Sequence, residues 1–185
     1  MSAKNQMLKK IAVAGIMSAL SLVLIAVIRI PILPSAPWLV LDGGDIPILI
    51  SGFLLGPWWG LLVTVVASLI QAFVFSSDGI IGGLMHILAS GAFVFVSGMI
   101  YKKWKSFRGA LVGLIVGGLT MIAVVIPANI YITPLLYTNM TSEMVLPLIP
   151  TAILPFNAIK AVVNTVLVLI IYKPISRALK KIHWL

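Results

Sequence analysis

The chain has 185 residues, 61% of them hydrophobic and 9% charged, with 13 Lys and Arg against 4 Asp and Glu for a formal net charge of +9. Soluble domains carry about 25% charged residues, so this composition excludes a soluble domain and describes one compact bundle of membrane helices, with nothing left over for a catalytic or nucleotide-binding domain. No cysteine is present, which excludes disulfides, thiolate metal sites and cysteine nucleophiles, and the basic residues gather beside apolar runs, as membrane insertion and not nucleic-acid binding requires.

Lys4, Lys9 and Lys10 precede an apolar run over 11–28, the first expected span. The run continues without a small-residue cleavage site, so it reads as a retained helix and not as a signal peptide. Within it Ala12, Gly15 and Ala19, with Ser18, form a small-residue face that allows another helix close approach, either inside the bundle or from a different membrane subunit.

Residues 29–45 hold three prolines, two glycines and Trp38, which argues against a continuous helix and for a long ordered loop. Its apolar content suits either a lid over a site or a segment lying in the headgroup layer with Trp38 as anchor. Asp45-Ile46-Pro47 reads as a helix start with Asp45 as N-cap, and a short helix runs to Leu55. Gly56-Pro57 breaks it before a third span over 58–75.

After a turn at 76–79, the fourth span covers 80–101, with Gly82, Gly83 and Gly91 allowing close approach and His86 in its first turns. A membrane histidine either bonds a neighbouring helix or serves a ligand. The basic loop of Lys102, Lys103, Lys105 and Arg108 leads to a fifth span over 110–132, where Pro127 and Asn129 bring polar groups near the far end. Asn129 is a candidate ligand group, or packing glue between helices.

The last apolar stretch, 149–172, carries Pro155, Asn157 and Lys160 near its start and is followed by Lys173, Arg177, Lys180 and Lys181. A lysine in a span costs about 3 kcal/mol or more unless it finds water, a partner or a ligand. Asn157 and Lys160 lie one helical turn apart on one face, so this stretch is read as the floor of a small-molecule site. With about six crossings, both termini and the loop 102–108 share one side, which is cytoplasmic by the positive-inside rule. Arg29, Asp42, Asp45, Asp78 and Glu143, and with them every acid of the chain, fall on the other. The pocket is expected to open outward.

The stretches IAVAGIMSALS, Asp45-Ile46-Pro47, FLLGPWWG and Pro155-Phe156-Asn157-Ala158-Ile159-Lys160 together resemble the substrate-binding S components of energy-coupling factor (ECF) vitamin transporters, most closely the riboflavin-specific RibU type. The resemblance covers nearly the whole chain and departs from the family pattern at Gly43-Gly44. It implies an all-α fold of six transmembrane helices in a prokaryotic plasma membrane, no enzyme activity and no cofactor beyond riboflavin as transported ligand. It further implies capture of the vitamin outside and delivery by toppling against a shared transmembrane coupling subunit (EcfT) driven by an ATPase pair (EcfA and its paralogue). Carried over to this sequence, the ligand residues are Asn129, Asn157 and Lys160; Leu41, Asp45 and His86 are further substrate-binding candidates. The loop 34–45 closes over the ligand, and Ala12, Gly15 and Ala19 dock the coupling subunit.

The chemistry agrees with that implication without depending on it. A flat, largely apolar flavin ring with an edge of carbonyls and nitrogens matches an apolar cavity holding a few convergent donors and acceptors, with aromatic walls from Trp38, Phe93 or Tyr131. Other classes fare worse. A channel or ion-coupled transporter would show repeated halves or paired intramembrane acids, and an enzyme would show a nucleophile–base pair or metal cluster. An S component for another vitamin, such as pantothenate, or a stand-alone small-molecule transporter remains the alternative.

Overall fold

A computed structural model describes residues 3–74, 79–137 and 140–181. The expected turn at 76–79, including Asp78, and the last residue of the expected third span, Phe75, lie wholly or partly outside the described residues. Long helices dominate: α1 (Ala3–Val27), α2 (Asp45–Leu55), α3 (Pro57–Val74), α4 (Gly79–Lys103), α5 (Phe107–Leu136), the single turn α6 (Ser142–Val145) and α7 (Leu154–Lys181).

Among the described residues five helical stretches are long and apolar enough to cross a membrane: Lys4–Val27, Pro57–Val74, Gly79–Lys103, Phe107–Leu135 and Ser142–Tyr172. The sixth helix of the expected bundle, α2, has 11 residues and so rises about 16 Å, roughly half of a ~30 Å hydrocarbon core. Its first eight residues, Asp45 to Gly52, are all buried, as expected of a helix that is apolar all round and shielded by its neighbours. Gly56, at φ 100°, turns the chain between α2 and α3, and Pro57 opens α3 where its missing N–H costs nothing.

α1 turns Ala14, Ser18, Ser21 and Ile25 inward, at the spacings of three and four that define one helix face. Ala12, Gly15 and Ala19 point out of the bundle instead, and nothing lies within 4 Å of where a Gly15 side chain would begin. Ser18 therefore does not belong to their face, and those three residues do not pack inside this chain.

The loop after α1 is more regular than the sequence suggests. Strands β1 (Arg29–Pro31) and β2 (Val40–Asp42) pair antiparallel, with Arg29 opposite Asp42. Gly44 then approaches α1 so closely that a Cβ would meet Ile25 Cγ1 at 2.5 Å, while its carbonyl accepts from Ser21 Oγ at 2.8 Å. Gly44 is thus a requirement of packing against α1.

α4 packs between α3 and α5. A Cβ on Gly83 would lie 2.7 Å from Ala72 Cβ, so the α3–α4 approach depends on that glycine. α5 starts at Ser106, whose side chain accepts from Gly109 N–H, and continues unbroken through Pro127 and Pro134. α7 is entered through a π-helical turn, Ile149–Ile153. Pro155 is therefore not the first residue of a fresh helix. It is the second residue of α7, which directly follows a widened turn of a kind frequent at functional sites.

Candidate functional site

A cavity of ≈ 530 Å³ opens between the hairpin, α3, α4, α5 and the start of α7, within the size range of small-molecule sites. Four of its polar lining groups come from the last two long helices and α4: Asn129, Asn157, Lys160 and His86. Asn129 Nδ2 donates to Val125 O at 2.8 Å and Asn157 Nδ2 donates to Ile153 O at 2.8 Å. Each asparagine is oriented by its own helix with one amide hydrogen, and keeps a second hydrogen and carbonyl capacity for something else.

Lys160 is 6% exposed, and its Nζ lies 3.1 Å from Asp45 Oδ2. This rules out a lysine reaching up to the interface along its stem. Asp45 Oδ1 sits 3.1 Å from His86 Nε2, and Asn164 Nδ2 donates to Asp45 Oδ2 at 2.9 Å. His86 Nδ1 is 2.7 Å from Ser68 Oγ. The neutral imidazole with its proton on Nε2 satisfies both contacts, donating to the carboxylate and accepting from the serine hydroxyl. Asp45 thereby joins α2 to α4 and α7, and balances Lys160.

This placement corrects the reading of Asp45. Its side chain does not cap α2; the residue before the helix is Gly44, with no side-chain cap, and the neighbouring turn is held by Gly44 N–H donating to Asp42 Oδ1. Asp45 is 0% exposed and Asp42 is 8% exposed. A buried carboxylate holding three donors is a structural hub, and it stands behind the cavity wall formed by Lys160 and His86.

Leu41 alternates on β2 with the cavity-lining Val40 and Asp42, so it faces the other side of the strand, where it is buried. Among the proposed aromatic walls, Trp38 lines the cavity, whereas Phe93 is buried in the helix core and Tyr131 is exposed. Phe156 and Tyr137 supply the other aromatic surfaces.

Polar residues beyond the expected set belong to the site: Arg29, Asp42, Gln71, Thr133 and Tyr137 line the cavity, while Ser68 bonds His86 and Asn164 bonds Asp45. Asn164 was legible, being four residues after Lys160 and seven after Asn157 on the same helix face. Ser68 and Gln71, three residues apart on one face of the apolar α3, carried the same signal more weakly, since neither bears a charge that demands a partner. No group of three or more His, Cys, Asp or Glu suited to a metal occurs among the described residues.

Comparison with known proteins places these features in a family context. The model of the family described as "ECF transporter, substrate-specific component" matches residues 9–172. The riboflavin transporter RibU of Staphylococcus aureus (strain TCH60) is 30% identical over 180 residues, covering 94% of each chain. The riboflavin transporter FmnP of Bacillus subtilis (strain 168) is 26% identical over 172 residues, covering 89% of this chain and 90% of that one. A solved structure of the S component of a bacterial ECF transporter superposes with a TM-score of 0.78 at 29% identity, over 93% of this chain and 98% of the other.

Proposed function

The chain belongs to the ECF transporter substrate-specific component family, and we propose that it is the riboflavin-binding S component of an importer in a prokaryotic plasma membrane. It is a transport subunit and not an enzyme. The observation that carries the choice of ligand is the convergence of Asn129, Asn157 and Lys160 on one largely apolar cavity. A flavin ring offers carbonyl oxygens and a ring N–H along one edge, which match lysine donors and asparagine amides, while its faces match Phe156 and Trp38.

In this reading Asn129, Asn157 and Lys160 hold the ring edge, His86 borders it, and Asp45 keeps Lys160 in place. Leu41 supports the strand that presents Val40 and Asp42. The segment 34–45 closes over the bound vitamin. Both termini face the cytoplasm and the cavity faces outward, as the basic loop 102–108 and the N-terminal lysines favour. Ala12, Gly15 and Ala19 dock a transmembrane coupling subunit (EcfT), which is driven by an ATPase pair (EcfA and its paralogue). The exposed small-residue face of α1 supports that assignment.

The decisive experiment is the absorption spectrum of protein purified in detergent, followed by titration with riboflavin. A retained flavin colours the preparation yellow, and added riboflavin loses its fluorescence on binding. A colourless protein that leaves riboflavin fluorescence unchanged, yet binds pantothenate, would transfer the site to another vitamin.

A further inference from the structure

We infer that Gln71 is a second polar anchor of the cavity, an acceptor for a hydroxyl on the part of the ligand that extends away from Lys160. Gln71 lies three residues after Ser68 on α3, hence one turn along the same face. Ser68 is held by His86, a cavity residue, and Gln71 itself lines the cavity. Its Oε1 is buried and has no hydrogen-bond partner among the described residues. The lining residues that α4 presents nearest its start are Ile81, Gly82 and Met85, none of which carries a side-chain donor. A buried acceptor left without a donor is costly, and such groups in native structures call for an explanation.

Gln71 comes from a different helix than the ring-edge residues already assigned. α3 packs against α1, α2 and α4, whereas α5 and α7, which carry Asn129, Asn157 and Lys160, pack against each other. Gln71 thus reaches the cavity from α3 and Lys160 from α7, an acceptor and a donor on different helices, with Arg29, Asp42, Thr133 and Tyr137 among the other polar lining residues. A ligand meeting both has a carbonyl-bearing edge for Lys160 and an O–H donor for Gln71. This rests on the riboflavin reading, in which the ring edge takes Lys160 and leaves the polyhydroxylated chain for Gln71. Gln71 then selects the hydroxylated vitamin over the bare ring.

The test compares riboflavin with lumiflavin, which has the same ring and a methyl group in place of the chain, on the parent protein and on Gln71→Met, a variant of similar shape without the oxygen. Riboflavin affinity is expected to fall about tenfold in the variant, the usual scale of one lost hydrogen bond, while lumiflavin affinity stays the same. The ligand-free variant melts no lower than the parent, because an unsatisfied acceptor has been removed. Equal loss for both flavins, or undiminished riboflavin binding, overturns the inference and leaves the riboflavin reading standing. A parent protein that binds neither flavin overturns that reading and this inference with it.

Discussion

Lys160 cannot be judged apart from Asp45. Their 3.1 Å contact is almost fully screened from solvent, and removing one member of a buried pair leaves the other without its counter-charge at a cost of about 3–5 kcal/mol. Lys160→Met therefore mixes two effects, lost ligand binding and a stranded carboxylate. The double change Lys160→Met with Asp45→Asn separates them. We expect the single variant to melt well below the parent in detergent and the double variant to recover most of that loss. Neither recovers riboflavin affinity, which falls by about 1–3 kcal/mol, or tenfold to a hundredfold. Calorimetry or a thermal shift reads the first quantity and a fluorescence titration the second. A double variant that binds riboflavin like the parent would remove Lys160 from the site. The sequence indicated the lysine because a cation in an apolar span needs a partner. It did not indicate which partner, since Asp45 is 115 residues away in the chain and its position before Ile46-Pro47 has an equally good local explanation as a helix cap.

At the level of elements, the proposed docking and lid roles fall to α1 and the hairpin. Gly15 has open space where a side chain would be, and glycine is about 1 kcal/mol poorer than alanine inside a helix. Gly15→Leu should accordingly leave folding and riboflavin titration intact while reducing co-purification with the coupling subunit, because it blocks close helix approach. Parallel loss of binding and assembly would instead mean that the face supports the cavity. The hairpin makes a different prediction. Trp38 lines the cavity and is half exposed, so bound riboflavin should slow chymotryptic cleavage after Trp38 from the external side. Unchanged cleavage at saturating vitamin would make the segment an interfacial anchor only. The long helices were readable from apolar runs and Gly-Pro punctuation, but α6 fell in an expected loop and α5 runs on through Pro127 to Leu136. The hairpin was not readable, since three-residue strands bounded by prolines have no period to detect, and neither was the π-helical turn, because Pro155 alone reads equally well as a helix start.

For the whole molecule, the buried hub constrains how transport can work. Asp45 ties α2 to His86 on α4 and to Lys160 and Asn164 on α7. Opening the cavity toward the opposite membrane face by spreading these helices would separate a buried ion pair and its hydrogen bonds, at a cost of several kcal/mol. Turning the bundle as one body breaks none of those contacts. It does carry apolar surface and basic loops through the bilayer, and that work must be supplied from outside the chain. We therefore expect the protein alone in liposomes to bind riboflavin without accumulating it against a gradient. Accumulation should appear only when the coupling subunit and its ATPases are reconstituted with it and ATP is supplied on their side. Radiolabelled riboflavin inside the vesicles is the measurement. Concentrative uptake by this chain alone would show that its helices do separate, and that the Asp45 hub is a gate and not a brace.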